Sequence, residues 1–174
     1  EYLARKGTDI EEINARFVDH LKKGYIHEVN NKNDWHRKDA YYLAYFPVVN
    51  RDKSTSKMRI VFDAAAKDKT GKSLNSEIAK GPNRLNDLYA ILIRFRQFRY
   101  ALNGDVSEMF LRIRLAEPDQ RYHRFWWDGK VSKWSRVLFG NTSSPDVSQK
   151  VIETHVMKFI NSMPVTVKAI LDDI

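Results

Sequence analysis

The sequence predicts an α+β layer, and three observations carry that prediction. From Ile10 to Lys23 apolar residues recur at helical spacing, with Ile13, Phe17, Val18 and Leu21 on one face. Residues 41–49 and Met58-Arg59-Ile60-Val61-Phe62-Asp63 are rich in aromatic and β-branched residues, the composition of strands. Residues 123–127 and 133–139 flank Asp128-Gly129-Lys130, where Asp-Gly suits the tight turn of a hairpin. A helix, strands, a hairpin and then a helix over 146–160 fit helices layered on antiparallel sheet.

The elements justify themselves in order. Thr8 or Asp9 supplies an N-cap for the first helix and Gly24 a stop. Asn30-Asn31-Lys32-Asn33-Asp34 opens a polar loop through residue 39. Pro47 places its strand at an edge, because proline has no N–H to give a ladder. Residues 50–57 form a charged, hairpin-like loop into the strand at Met58, and Gly81-Pro82-Asn83 is a break. Residues 85–98 are expected as a long amphipathic helix with Leu88, Ile91, Leu92 and Phe95 inward. Tyr100-Ala101-Leu102 reads as a buried strand ending near Asp105, and residues 110–115 continue it, alternating Leu111, Ile113 and Leu115 with Arg112 and Arg114. Pro164 interrupts the last helix, and residues 165–174 are helix or strand.

At 174 residues the chain is one domain or part of one, and a hydrophobic fraction of 43% argues against disorder. A net charge of +8 and a pI near 9.6 point to a polyanionic partner. The cations are clustered: Arg51, Lys53, Lys57, Arg59, Lys67, Lys69 and Lys72 stand in one stretch, and Arg94, Arg96 and Arg99 in another. The absence of cysteine excludes disulfides, zinc-thiolate sites and thiol nucleophiles. No run of about eighteen apolar residues spans a membrane, and Glu1 to Lys6 lack the order of a secretory signal. The chain reads as a piece of a longer one, starting without Met and stopping on an apolar segment.

Within this frame Asp105 stands out, following Gly104 and preceding an aromatic, Phe110, by five positions. An Asp after Gly is more often a turn or cap residue than a catalyst. It gains weight from Phe139-Gly140-Asn141-Thr142-Ser143-Ser144-Pro145 and Gln149 downstream, with a basic, aromatic segment between. The set suggests the palm of a nucleotide polymerase. Joining a nucleotide to a primer end uses two divalent ions, one activating the 3′ hydroxyl and one neutralising the leaving pyrophosphate. Magnesium, or manganese in its place, takes hard oxygen ligands, so Asp105 with the backbone carbonyl of Val106 is the candidate metal ligand. Phe110 is the candidate sugar gate, its ring excluding a 2′ hydroxyl; the alternative is a core aromatic. Lys57 and Arg59 are placed to hold a triphosphate, though cations also protect exposed strand edges. Gly140 allows close backbone approach, and Gln149 supports the start of the following helix. Trp126, Trp127 and Trp134 could stack bases, but cross-strand packing in the hairpin is the preferred reading.

These residues resemble the reverse transcriptases of BEL/Pao retrotransposons nearly end to end. Ser56-Lys57-Met58-Arg59-Ile60-Val61-Phe62-Asp63-Ala64 is similar to the family's fingers segment, followed by Gly71-Lys72-Ser73-Leu74-Asn75 and Gly81-Pro82-Asn83. Residues 88–100 resemble its helix, 105–113 its motif A, and 139–145 its motif B. The resemblance implies a right-hand polymerase with fingers and partial palm and no thumb: one partial domain over 1–174, with the N-terminal helix and fingers in about 1–84 and the palm with interleaved fingers elements in 85–174. It implies an RNA-directed DNA polymerase acting on an RNA template, a DNA primer/template duplex and dNTPs. The parent polyprotein would carry thumb, ribonuclease H, protease and integrase, and would work in a cytoplasmic particle or the nucleus. Retroviral enzymes carry Gln before the motif B glycine; Phe139 stands here, so that sugar contact is not carried over. Ile170-Leu171-Asp172-Asp173-Ile174 reads either as the motif C aspartate pair or, as favoured, as the stretch just before it. On the favoured reading this segment alone is inactive. A non-catalytic nucleic-acid-binding module and an RNA-dependent RNA polymerase are the alternatives.

Overall fold

The computed structural model describes residues 10–49, 58–84, 86–97, 99–100 and 104–160. The expected caps at Thr8 and Asp9, the 50–57 loop, and the segment from residue 161 onward lie outside the described residues.

Helix α1 spans Ile10–Lys22 and buries Ile13 and Phe17, while its neighbour Val18 is 39% exposed. Glu11 and Glu12 in its first turn and Lys22 in its last suit the helix dipole. The chain leaves through Gly24 into β1 (Ile26–Glu28). β1 pairs antiparallel with β5 (Lys130–Trp134), which pairs antiparallel with β4 (Arg124–Trp127), giving the order β1-β5-β4. The β4–β5 hairpin turns on Asp128 and Gly129, at φ 49° and 69°. Positive φ at both central residues matches the twist of the strands, which is why Asp-Gly stands there.

A second, two-stranded sheet joins β2 (Ala44–Val49) to β3 (Met58–Asp63), with Phe46 opposite Val61 and Pro47 opposite Ile60. Both strands are therefore edges, as Pro47 requires. Main-chain bonds from Leu43 N to the Arg124 carbonyl (2.7 Å) and from Arg124 N to the Tyr41 carbonyl (3.2 Å) tie the approach to β2 onto β4. Side chains complete the union. Phe17 stacks on Phe125 at 5.2 Å and meets Tyr45 edge-on at 5.0 Å, while Phe62 meets Phe125 at 5.0 Å and Trp134 at 5.3 Å. One aromatic core thus draws on α1 and both sheets. Trp127 and Trp134 belong to it, so hairpin packing holds for them; Trp126 lies against Trp35 and His36.

Several expected elements differ. The 30–39 loop contains a 3₁₀ turn, Lys32–His36, started by the Asn31 side chain and held by Trp35 Nε1 donating to the Val29 carbonyl. The long helix over 85–98 is the eight-residue α3, Leu88–Phe95, because the Asp87 carboxylate accepts from Tyr89 N and caps it there. Its apolar face is exposed, at 65% for Leu88 and 49% for Phe95. Periodicity marks a face without supplying a partner for it. Tyr100 is exposed and in no strand, and residues 101–103 are outside the description. The strand over 110–115 begins instead with a helical turn, α4 (Met109–Arg112), because Glu108 takes a left-handed conformation and turns the chain. Extended pairing resumes at Arg114, opposite Arg136. Short α2 (Leu74–Glu77) carries a Ser73/Ser76 capping box, and α5 spans Ser144–Ile160, two residues longer at its start than expected.

Phe17 is fully buried among four other rings. Phe17→Ala should cost about 3–5 kcal/mol, read by urea unfolding; a loss under about 1 kcal/mol would show that the rings do not join the sheets.

Candidate nucleotide site

Two segments expected at the site approach each other from different parts of the chain. The first runs from Gly104 to Arg112. Asp105 and Val106 are exposed in an irregular stretch before α4, and most of the strand expected to lead to Asp105 lies outside the described residues. Asp105 offers one hard carboxylate to solvent. Among the described residues no cluster of three or more His, Asp or Glu side chains could hold a metal ion, so it is at most part of such a site. Phe110 sits on α4, half-buried.

The second segment is the loop from Phe139 to Ser144. Phe110 and Phe139 meet edge to face at 4.4 Å, which brings the two segments together. Phe139 itself remains 59% exposed. Gly140 follows at φ 98°, and a Cβ there would lie 2.7 Å from the Phe62 carbonyl on β3. Glycine is required twice, for the left-handed backbone and for the close approach. Gly140 is thus a packing glycine against a strand, whatever else it meets.

The loop is held by polar residues whose types alone assign them no role. Asn75 donates from Nδ2 to the Gly140 carbonyl and accepts from Thr142 N at its Oδ1, each at 2.8 Å. Asn141 is buried and donates from Nδ2 to His123 Nε2 at 2.7 Å, while His123 Nδ1 donates to the Asp119 carbonyl at 3.1 Å. Ser144 Oγ donates to the Leu138 carbonyl and Ser148 Oγ to the Pro145 carbonyl, closing the start of α5. Arg84 pairs with Asp146 in the first turn of that helix, drawing the Gly81-Pro82-Asn83 segment to it. Proline at position 145 falls in the first turn, where its missing N–H costs no helical bond.

The remaining expected residues are more dispersed. Arg59 is exposed on β3, opposite Val48. Lys57, Asp172 and Asp173 lie outside the described residues. Gln149 is half-buried on α5, where the hydrogen bonds at the helix start belong to Ser144 and Ser148. Lys67, Lys69, Lys72, Arg94, Arg96 and Arg99 are all exposed. No helix among the described residues is long and apolar enough to cross a membrane.

This α+β arrangement is a fold found in solved reverse transcriptase structures. Among the solved structures it resembles are foamy virus protease-reverse transcriptases. The selenomethionine-labelled CSH mutant of the prototype foamy virus protein is 20% identical, with a TM-score of 0.62 over 85% of this chain and 17% of that one. The foamy viral protein in complex with double-stranded DNA is also 20% identical, with a TM-score of 0.53 over 84% of this chain and 23% of that one. The native prototype foamy virus protein gives 20% and 0.54, over 82% and 17%. The chain therefore spans about a fifth of the proteins it resembles. No family model and no curated protein matches the sequence.

Two outcomes test the loop's supports. Asn75→Ala removes a donor and an acceptor together, and should cost about 1–3 kcal/mol in urea unfolding; no loss would show that the loop keeps its place without Asn75. Burial holds the His123 pKa below its usual 6.5, so the neutral ring contributes stability that is complete above about pH 6.5 and is lost as pH falls through the depressed value. His20 is shifted the same way by burial. The unfolding midpoint should fall from about pH 7.5 to about pH 5.5, and His123→Gln should flatten, without abolishing, that slope. An unchanged slope would overturn the neutral-ring account.

Proposed function

We propose that this chain is the fingers and partial palm of an RNA-directed DNA polymerase from a BEL/Pao-type retroelement. The observation that carries the reading is the Phe110–Phe139 contact, which sets the Asp105 turn beside the Gly140 loop. The reverse transcriptase-like fold and the exposed cations around Arg59 and Arg94 support it, as does a foamy viral neighbour in complex with double-stranded DNA. Template, primer duplex and dNTP are the partners that follow, and the rest of the polyprotein would supply thumb, ribonuclease H, protease and integrase.

In this reading Asp105, with the Val106 carbonyl, holds divalent metal, magnesium or manganese. When bound, two such ions supply activation of the primer hydroxyl and neutralisation of the leaving pyrophosphate. The chain's own groups do the positioning. Arg59, with Lys57, binds triphosphate oxygens. Phe110 lies under the sugar and excludes a 2′ hydroxyl, its ring fixed against Phe139. Gly140 lets the backbone approach the nucleotide, and Gln149 lies on the helix behind it, whose start is closed by Ser144 and Ser148. Further carboxylates come from Asp172 and Asp173, or from residues beyond Ile174.

Primer extension by the polymerase that contains this segment tests the reading. Asp105→Asn should lower extension by roughly 10³-fold, the scale of losing one charge-stabilising group, and unchanged extension would end the metal assignment. Phe110→Ala should lower the preference for dNTP over rNTP by about 10-fold or more, as one steric contact does; an unchanged preference would remove the gate. If the unaltered polymerase extends nothing while nucleic acid still binds, the non-catalytic module replaces this reading.

A further inference from the structure

Glu108 is one of two described non-glycine residues with positive φ, at 54° with ψ 37°, and unlike Asp128 it serves no hairpin. An L residue enters this region at a cost and stays there only when its surroundings hold it. The surroundings are specific. Tyr25 donates its hydroxyl to Glu108 Oε2 at 2.8 Å, and Lys23 donates Nζ to Oε1 at 3.1 Å, so both carboxylate oxygens are engaged. Lys23 is itself steadied by Asp19 at 3.0 Å. The Glu108 carboxyl is held below its usual pKa, first by the Tyr25 hydroxyl and also by Lys23, and the Tyr25 hydroxyl is pushed up in return. The turn is also closed from within, by Arg112 N donating to the Glu108 carbonyl and Arg112 Nε to the Ser107 carbonyl.

Tyr25 connects this turn to the other half of the site. Its backbone carbonyl accepts from Ser135 N at 2.9 Å and Ser135 Oγ at 3.1 Å, and Ser135 is buried four residues before Phe139. One residue therefore grips the segment leading to Phe139 with its main chain and the turn leading to Phe110 with its side chain.

We propose that Glu108, clamped by Tyr25 and Lys23, is a positioning residue that fixes the turn carrying Asp105 and Phe110 relative to Phe139. The inference rests on the polymerase reading for its purpose, while the clamp itself is measurable without activity. Glu108→Gln weakens one side of the clamp, and Tyr25→Phe removes only a hydroxyl.

Hydrogen exchange on the chain should show amides of residues 107–112 exchanging at least tenfold faster in both variants, with β4, β5 and α5 unchanged. Glu108→Gly should lie between the wild type and Glu108→Ala, because glycine takes the left-handed turn freely without the clamp. Unchanged exchange at 107–112, or an equal rise across the molecule, overturns the proposal. In primer extension by the polymerase containing the segment, both variants should lower dNTP-over-rNTP discrimination at least fivefold. That ratio is insensitive to the fraction of folded enzyme, so an unchanged ratio also overturns it. A wild-type enzyme that does not extend primers counts against the polymerase reading, and the exchange result still decides the clamp.

Discussion

Everything around the candidate site depends on Phe62, which faces two ways. Its ring lies in the aromatic core against Phe17, Phe125 and Trp134, and its carbonyl forms the wall against which Gly140 is pressed. The strand that carries it is therefore fixed by apolar burial before any polar contact is counted. Such burial contributes the larger share of folding free energy. The loop then takes its position from the strand, and Phe110 takes its own from the loop through Phe139.

Upon that base the polar ties act as locators. Asn75, the His123–Asn141 pair, Ser144 and the Tyr25–Glu108–Lys23 group each join segments by short hydrogen bonds. A single bond of this kind contributes on the order of 1 kcal/mol, too little to create the fold and enough to select one arrangement of a loop. What these ties leave free is informative. Asp105, Val106, Arg59 and Phe139 stay exposed, while of the residues in these ties only Lys23 is exposed and the others are buried or half-buried. Folding secures the frame, and the groups able to meet a ligand stay open.

Much of this was legible from the residues alone wherever the signal was local. Met58–Asp63 forms the strand its β-branched composition indicates, and Asp128-Gly129 makes the turn its chemistry favours. The last helix follows its expected course to residue 160. The failures share a cause. Leu88, Ile91, Leu92 and Phe95 repeat like a buried face, yet burial depends on a partner that spacing cannot name. The helical turn at Met109 follows from a left-handed glutamate, a state that no residue pattern marks. Asp105 and Phe110 could be picked out by their separation. Asn75, His123, Asn141 and Tyr25 could not, since their partners lie 18 to 83 residues away and ordinary polar residues announce nothing until the chain folds.

The press of Gly140 on Phe62 also bears on how such a chain can drift over evolutionary time. The obstacle a side chain at 140 would meet is a main-chain oxygen, which no substitution at 62 can remove. Position 140 therefore has no compensating partner mutation: a lineage can leave glycine there only by rerouting the strand itself. Asn141 and His123 pair through side chains, so they are free to change together. Neighbouring positions in one loop thus face different histories, the first held fixed by backbone geometry and the second open to paired replacement.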